Sequence, residues 1–155
     1  MQEREHLIRL SKVWVSNPIY FLTTCTDRRR PILTAPAVSE ALVESWRASA
    51  QIHGWATGRY VVMPDHVHFF AQRATGQKTL DIFMRDWKRW TSGLIQRPGH
   101  VSQPIWQREF FDHVLRSASS YDQKWHYVRE NPVRAGLVTR ADEWPFAGEC
   151  EALRF

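Results

Sequence analysis

An apolar run from Gly58 to Phe70, broken once by Pro64-Asp65, constrains this chain more than any other stretch. Tyr60-Val61-Val62-Met63 and His66-Val67-His68-Phe69-Phe70-Ala71 are dense in β-branched and aromatic residues, and Pro-Asp between them is turn chemistry. The two segments predict a hairpin. Tyr20 to Thr26 predicts an earlier strand, ended by Asp27-Arg28-Arg29-Arg30-Pro31, and residues 111–116 hold a later one. Apolar residues at Val38, Ala41, Leu42, Trp46 and Ala50 predict a helix over 37–52, closed by Gly54. Leu80, Phe83, Trp87, Trp90 and Leu94 stand three and four apart and predict a second helix over 79–96. A last helix, capped by Ser119 or Ser120, runs to Glu130, where Asn131-Pro132 is expected to end it. The order β-α-β-β-α-β plus this helix predicts an α+β, ferredoxin-like antiparallel sheet covered by helices, with an added C-terminal helix. The third strand would be central, a rigid platform for whatever it carries. Residues 1–17 are charged and predict a loose arm ahead of one domain spanning 1–155.

Charge and cysteine usage narrow the class. The net charge is +5, 17 of the 21 basic residues are arginine, and there are eight tryptophans. Arginine forks onto phosphates and stacks on bases, whereas lysine does only the first well, so the bias leans towards nucleic acid. Composition alone fits a soluble basic protein without such a partner equally well. Cys25 and Cys150 are far apart and form no CxxC motif, which predicts reduced thiols and no zinc ribbon. No stretch approaches a membrane span, and Met1-Gln2-Glu3-Arg4-Glu5-His6 carries no signal-peptide pattern, so the expected location is the cytoplasm.

His66 and His68 stand two apart on a strand, so both imidazoles point to one face and make half of a metal site. Such a pair suits Mn²⁺, Zn²⁺ or, less naturally, Mg²⁺. His-x-His alone more often marks the solvent side of a hairpin. Here Val67, Phe69 and Phe70 put the pair on a packed element. Near the far end, Tyr127 and Asn131 are about one helical turn apart and can share a face. Tyr121, Trp125 and Val128 mark the buried stripe of that helix and leave Tyr127 free of the core; an ordinary surface tyrosine fits the pattern as well. Two imidazoles, an amide and a phenol together suggest metal-assisted attack by tyrosine on a phosphodiester. The product would be a 5′-phosphotyrosine link and a free 3′ hydroxyl, which can later attack the link and rejoin the strand. No external energy source is needed, in keeping with the lack of a GxxxxGK[ST] loop. His113, beside Asp112, and His126, about 100° round the helix from Tyr127, receive no catalytic role.

Val62-Met63-Pro64-Asp65-His66-Val67-His68, followed by Tyr127 through Asn131-Pro132-Val133-Arg134-Ala135-Gly136-Leu137-Val138, resembles the single-tyrosine HUH transposases of the IS200-like group, above all the REP-associated tyrosine transposases. Trp106-Gln107-Arg108-Glu109-Phe110-Phe111-Asp112-His113-Val114-Leu115-Arg116 and Trp144-Pro145-Phe146 extend the likeness over roughly residues 18–148. The resemblance implies His66 and His68 as HUH ligands, Asn131 as a further ligand, Tyr127 as nucleophile and Mg²⁺ or Mn²⁺ as the metal. It implies a single-stranded DNA substrate with hairpin structure, cut and rejoined without ATP. Members act as monomers or as homodimers, and this sequence leaves both open.

The DNA surface is expected at Arg28, Arg29 and Arg30 and at the helix face of Arg85, Lys88 and Arg89, with Trp14 a candidate for stacking on a base. Two other functions fit parts of this pattern. A non-catalytic binder of structured DNA or RNA would not need His66, His68, Tyr127 and Asn131 together. A phosphodiesterase using water would leave no protein–DNA adduct.

Overall fold

The computed structural model describes residues 17–99 and 101–155. The expected arm and Trp14 therefore lie outside the described residues, apart from Asn17. The elements are β1 (Ile19–Cys25), α1 (Pro36–His53), β2 (Trp55–Val62), β3 (His66–Arg73), α2 (Leu80–Gly99), β4 (Phe111–Leu115), α3 (Ala118–Arg129), α4 (Asn131–Arg134) and β5 (Ala147–Glu149). The strands form one sheet in the order β4-β1-β3-β2-β5, antiparallel at every pairing. This is the ferredoxin-like α+β arrangement the element order predicts, with β3 central. Among the described residues no helix is long and apolar enough to cross a membrane.

Local chemistry sets the boundaries. Pro36 occupies the first turn of α1, where its missing N–H has no partner to lose. Gly54 ends α1 at φ 76°, and a Cβ there would sit 2.4 Å from the Thr75 carbonyl oxygen. The chain therefore turns straight into β2, five residues before the run that starts at Tyr60. On α2 the buried line runs through Phe83, Met84, Trp87, Thr91 and Ile95, while Leu80, Trp90 and Leu94 are half-buried. A straight stripe drawn through Trp90 and Leu94 misses the drift of a 3.6-residue helix.

Side-chain alternation on β3 divides the interior in two. Val67, Phe69 and Ala71 face α1 and α2 and join a core with Trp46, Trp55 and Trp87. His66, His68 and Phe70 face the other way. There Phe70 packs with Phe21, Tyr121 and Val128, so α3 covers part of the opposite sheet face. Trp46, Trp55, Trp87 and Trp106 are buried; Trp90, Trp125 and Trp144 are half-buried. Trp87 is fully buried, lies 5.9 Å from Trp46 with rings 4° from parallel, and donates Nε1 to Ser45 Oγ at 3.0 Å. Trp87→Ala is expected to destabilise the fold by about 3–5 kcal/mol. Urea unfolding checks this as a lower midpoint with an unchanged slope.

Candidate metal and tyrosine site

The His pair stands on the α3 side of β3, with ring centroids 4.8 Å apart and planes at 84°. Each ring is held through Nδ1. His68 Nδ1 lies 2.7 Å from Thr23 Oγ1 on β1, its cross-strand partner. His66 Nδ1 lies 2.7 Å from Asp65 Oδ1 in the turn before β3, and Arg29 Nε donates to Asp65 Oδ2 at 3.0 Å. Burial pushes the Asp65 carboxyl up, but the bonds and charges of Arg29 and His66 outweigh it and hold Asp65 below its ordinary value. An ionised Asp65 accepts only, so His66 carries a proton on Nδ1, which leaves Nε2 as the nitrogen that the neutral ring would offer to a metal. Burial, then the charges of His66, Lys124 and Arg134, bring His68 down to about 3. His68 is thus neutral, as a metal ligand must be.

Ser117, not Ser119 or Ser120, caps α3: its Oγ accepts from Ser120 N–H at 3.1 Å, while Ser120 Oγ accepts from Ser117 N–H at 3.3 Å. The cap thus comes before the serine run. The core stripe is as the spacing predicts, with Tyr121 and Val128 buried and Trp125 half-buried against them. At Gly58 a Cβ would come within 2.7 Å of Tyr121 Oη, so a side chain there would push α3 away from β2. Tyr127 is 60% exposed. Asn131-Pro132 does not end the helical path. The chain pauses at Glu130 (φ −83°, ψ −4°) and starts α4, with Pro132 in its first turn, where proline is tolerated. Asn131 and Arg134 are therefore carried on a short helix continuing from α3.

His66, His68, Tyr127 and Asn131 line one pocket of about 410 Å³, together with Phe21, Met63, Lys124 and Arg134. One chain supplies all four predicted residues. The two cations are not among the residues that sequence reasoning singles out. Arg134 Cζ sits 4.1 Å from the Tyr127 ring centroid, and its guanidinium donates to the Tyr127 carbonyl oxygen at 2.6 Å and to Asn131 Oδ1. Lys124 Nζ lies 4.7 Å from the Phe21 ring and 5.8 Å from the Tyr127 ring. Their positions, three before Tyr127 and three after Asn131, are the available signal. Two Nε2 atoms fit a divalent first-row ion. Among the described residues no group of three or more His, Cys, Asp and Glu could hold a metal, so a third protein ligand would be the Asn131 amide oxygen. That oxygen accepts from Arg134 and carries a second lone pair.

Residues 14–131 match the sequence profile of the family described as "Transposase IS200 like". The chain belongs to the IS200-like transposase family. It is 27% identical over 131 residues to the REP-associated tyrosine transposase of Escherichia coli (strain K12), covering 83% of this chain and 73% of that one. A solved structure of a REP-associated tyrosine transposase bound to a REP hairpin superposes with a TM-score of 0.68 at 24% identity. The superposition covers 84% of this chain and 75% of that one, and shows the shared fold.

In this IS200-like transposase none of the six basic residues expected at the DNA surface lines the pocket, and several make contacts within the fold. Arg29 is tied to Asp65 behind His66. Arg30 donates to the carbonyls of Asp27 (3.2 Å), Ser102 (3.0 Å) and Pro104, pinning the turn to the segment before β4. Arg28 and Arg29 are both exposed, and Asp27 lies 3.9 Å from Arg28. Arg85, Lys88 and Arg89 belong to α2, across the sheet from the His pair, and none lines the pocket. Lys88 is no outward charge: Nζ donates to the carbonyls of Gln107 (2.8 Å), Arg108 (3.2 Å) and Glu109 (2.8 Å), and burial brings it down to about 8. Arg85 pairs with Asp86 at 3.2 Å, and Arg89 is exposed.

Proposed function

We propose that this transposase cuts and rejoins single-stranded DNA beside a hairpin, with Tyr127 as nucleophile and His66 and His68 holding Mg²⁺ or Mn²⁺. The observation that carries this is the single pocket in which one chain's His66, His68, Tyr127 and Asn131 converge. The hairpin bound by the structurally similar transposase supports the substrate class.

Tyr127 Oη attacks the scissile phosphorus and loses its proton. The bond to the 3′ oxygen breaks, and that oxygen leaves as a 3′ hydroxyl. The downstream strand stays on Tyr127 as a 5′-phosphotyrosine. Attack by a 3′ hydroxyl reverses the step, conserving one phosphoester throughout. A divalent ion in the site would supply Lewis-acid polarisation of the phosphate oxygens. His66 and His68 would hold it through Nε2, with the Asn131 amide oxygen as a third protein ligand. Lys124 and Arg134 place positive charge beside the attacking oxygen's ring, where the phosphate must sit.

Hairpin DNA with unpaired flanks, labelled downstream of the cut, tests this on a denaturing gel with Mn²⁺ or Mg²⁺. A labelled protein band that vanishes with chelator is expected. Cleavage that leaves no labelled protein would move the reading to a water-using phosphodiesterase.

Asp65 gives a second check. Asp65→Ala removes the acceptor that orients His66, and outer-shell partners of this kind contribute about 10–100-fold in metal affinity or activity. Calorimetric Mn²⁺ titration is expected to show the loss. Arg29→Ala in chelator is expected to leave DNA affinity and its salt dependence unchanged; a slope reduced by about one would restore Arg29 as a phosphate contact.

A further inference from the structure

Phe111 is 58% exposed. The sheet register places it. His68 pairs with Thr23 and Thr23 with Phe111, so the three form one row across β3, β1 and β4. Cross-strand partners point to one face, so Phe111 shares the open face of the His pair, two strands or roughly 10 Å away. Thr23 between them is small. In the next row His113 pairs with Phe21, the ring over which Lys124 Nζ stands at 4.7 Å. Among the described residues no carboxylate pairs with Lys124. Phe110, one residue earlier, packs into the core on the other side. The face thus offers a low lane from the pocket to the sheet edge, with an unpaired cation over its middle and a bare aromatic ring at its end. A cationic track ending in an aromatic platform is how proteins hold single-stranded nucleic acid.

We infer that Phe111 is a stacking platform for one unpaired nucleobase of the substrate strand, with Lys124 neutralising the phosphate between that base and the Tyr127 pocket. The inference rests on the proposed reading of the site and adds the path of the strand. Stacking tolerates any base, so Phe111 would fix the distance from the cut without selecting sequence.

The test is an abasic scan. Hairpin oligonucleotides with an unpaired flank, each lacking one base, are titrated by fluorescence anisotropy in chelator against the parent protein, Phe111→Ala and Phe111→Trp. One abasic position is expected to weaken the parent by roughly 5- to 140-fold, the range that ~1–3 kcal/mol per stacked base implies. The same position should be silent in Phe111→Ala and regain its effect in Phe111→Trp, and a hairpin without flanks should bind all three alike. No coupled position, or an equal loss on the flankless hairpin, overturns the platform. So does a dimer of the parent that Phe111→Ala converts to monomer without any coupled position, which would make the β4 edge a contact between copies. Adduct formation by the parent is measured in parallel. An adduct without coupling removes Phe111 and leaves the transesterase reading intact; coupling without an adduct does the reverse.

Discussion

Tyr127→Phe is expected to form no covalent DNA adduct while folding and binding DNA as the parent does. The substitution removes one atom, Oη. Tyr127 is 60% exposed, and the contacts that place it use its ring and backbone: Arg134 Cζ at 4.1 Å from the centroid, Lys124 Nζ at 5.8 Å, and the carbonyl that accepts from Arg134. All survive in phenylalanine, so unfolding free energy should change by less than about 0.5 kcal/mol, as for an exposed substitution. Chemistry is affected differently, because no other hydroxyl in the pocket replaces the lost nucleophile: the remaining predicted residues are two imidazoles and an amide. Adduct and strand joining should therefore both vanish, whereas a water-using enzyme would keep cutting. A denaturing gel beside an anisotropy titration separates the outcomes. Cutting that persists at the parent's rate in Tyr127→Phe would refute the tyrosine as nucleophile.

Much of this site is legible in the chain's own periodicities. Alternation puts His66 and His68 on one face of β3, and the spacing of Tyr121, Trp125 and Val128 frees Tyr127, because both are properties of one element's own period. The residues that periodicity misses depend on contacts between elements. Three consecutive arginines look like a phosphate-binding turn, but Thr26 N–H bonds the Asp65 carbonyl at 2.9 Å and folds that turn onto the β2–β3 connection, where Arg29 meets Asp65. Lys88 looks like an outer-face charge until the 107–109 segment wraps over it. Lys124 and Arg134 carry no signature of their own and gain meaning only from the pocket around Tyr127. β5 has three residues, Ala147-Gly148-Glu149, too few for any period, and is held by its pairing with β2. Pro132 looks like a stop because proline disfavours helix before it, yet at the start of a new turn the same ring is tolerated.

The second large effect is expected from His68→Ala. His68 is stacked at 5.3 Å and 17° on Phe21 and bonded through Nδ1 to Thr23. Removing it leaves one imidazole and one amide, too few donors to keep a divalent ion. If the ion supplies several kcal/mol of transition-state stabilisation, adduct formation should fall roughly a thousandfold or more. Calorimetry should show Mn²⁺ binding lost while DNA binding in chelator persists. The same variant carries an independent pH signature. Burial brings folded His68 down to about 3, against ~6.5 for an unfolded histidine. Between those values the unfolded chain takes up the proton first, so acid removes stability from the metal-free parent as pH falls from 6.5 towards 3. His68→Ala lacks that contribution, and its urea midpoint should decline less over the same window. A parallel decline in both proteins would show that His68 is not held neutral by its surroundings. Unchanged Mn²⁺ affinity in His68→Ala would remove the His pair from the metal site, whatever Tyr127 does.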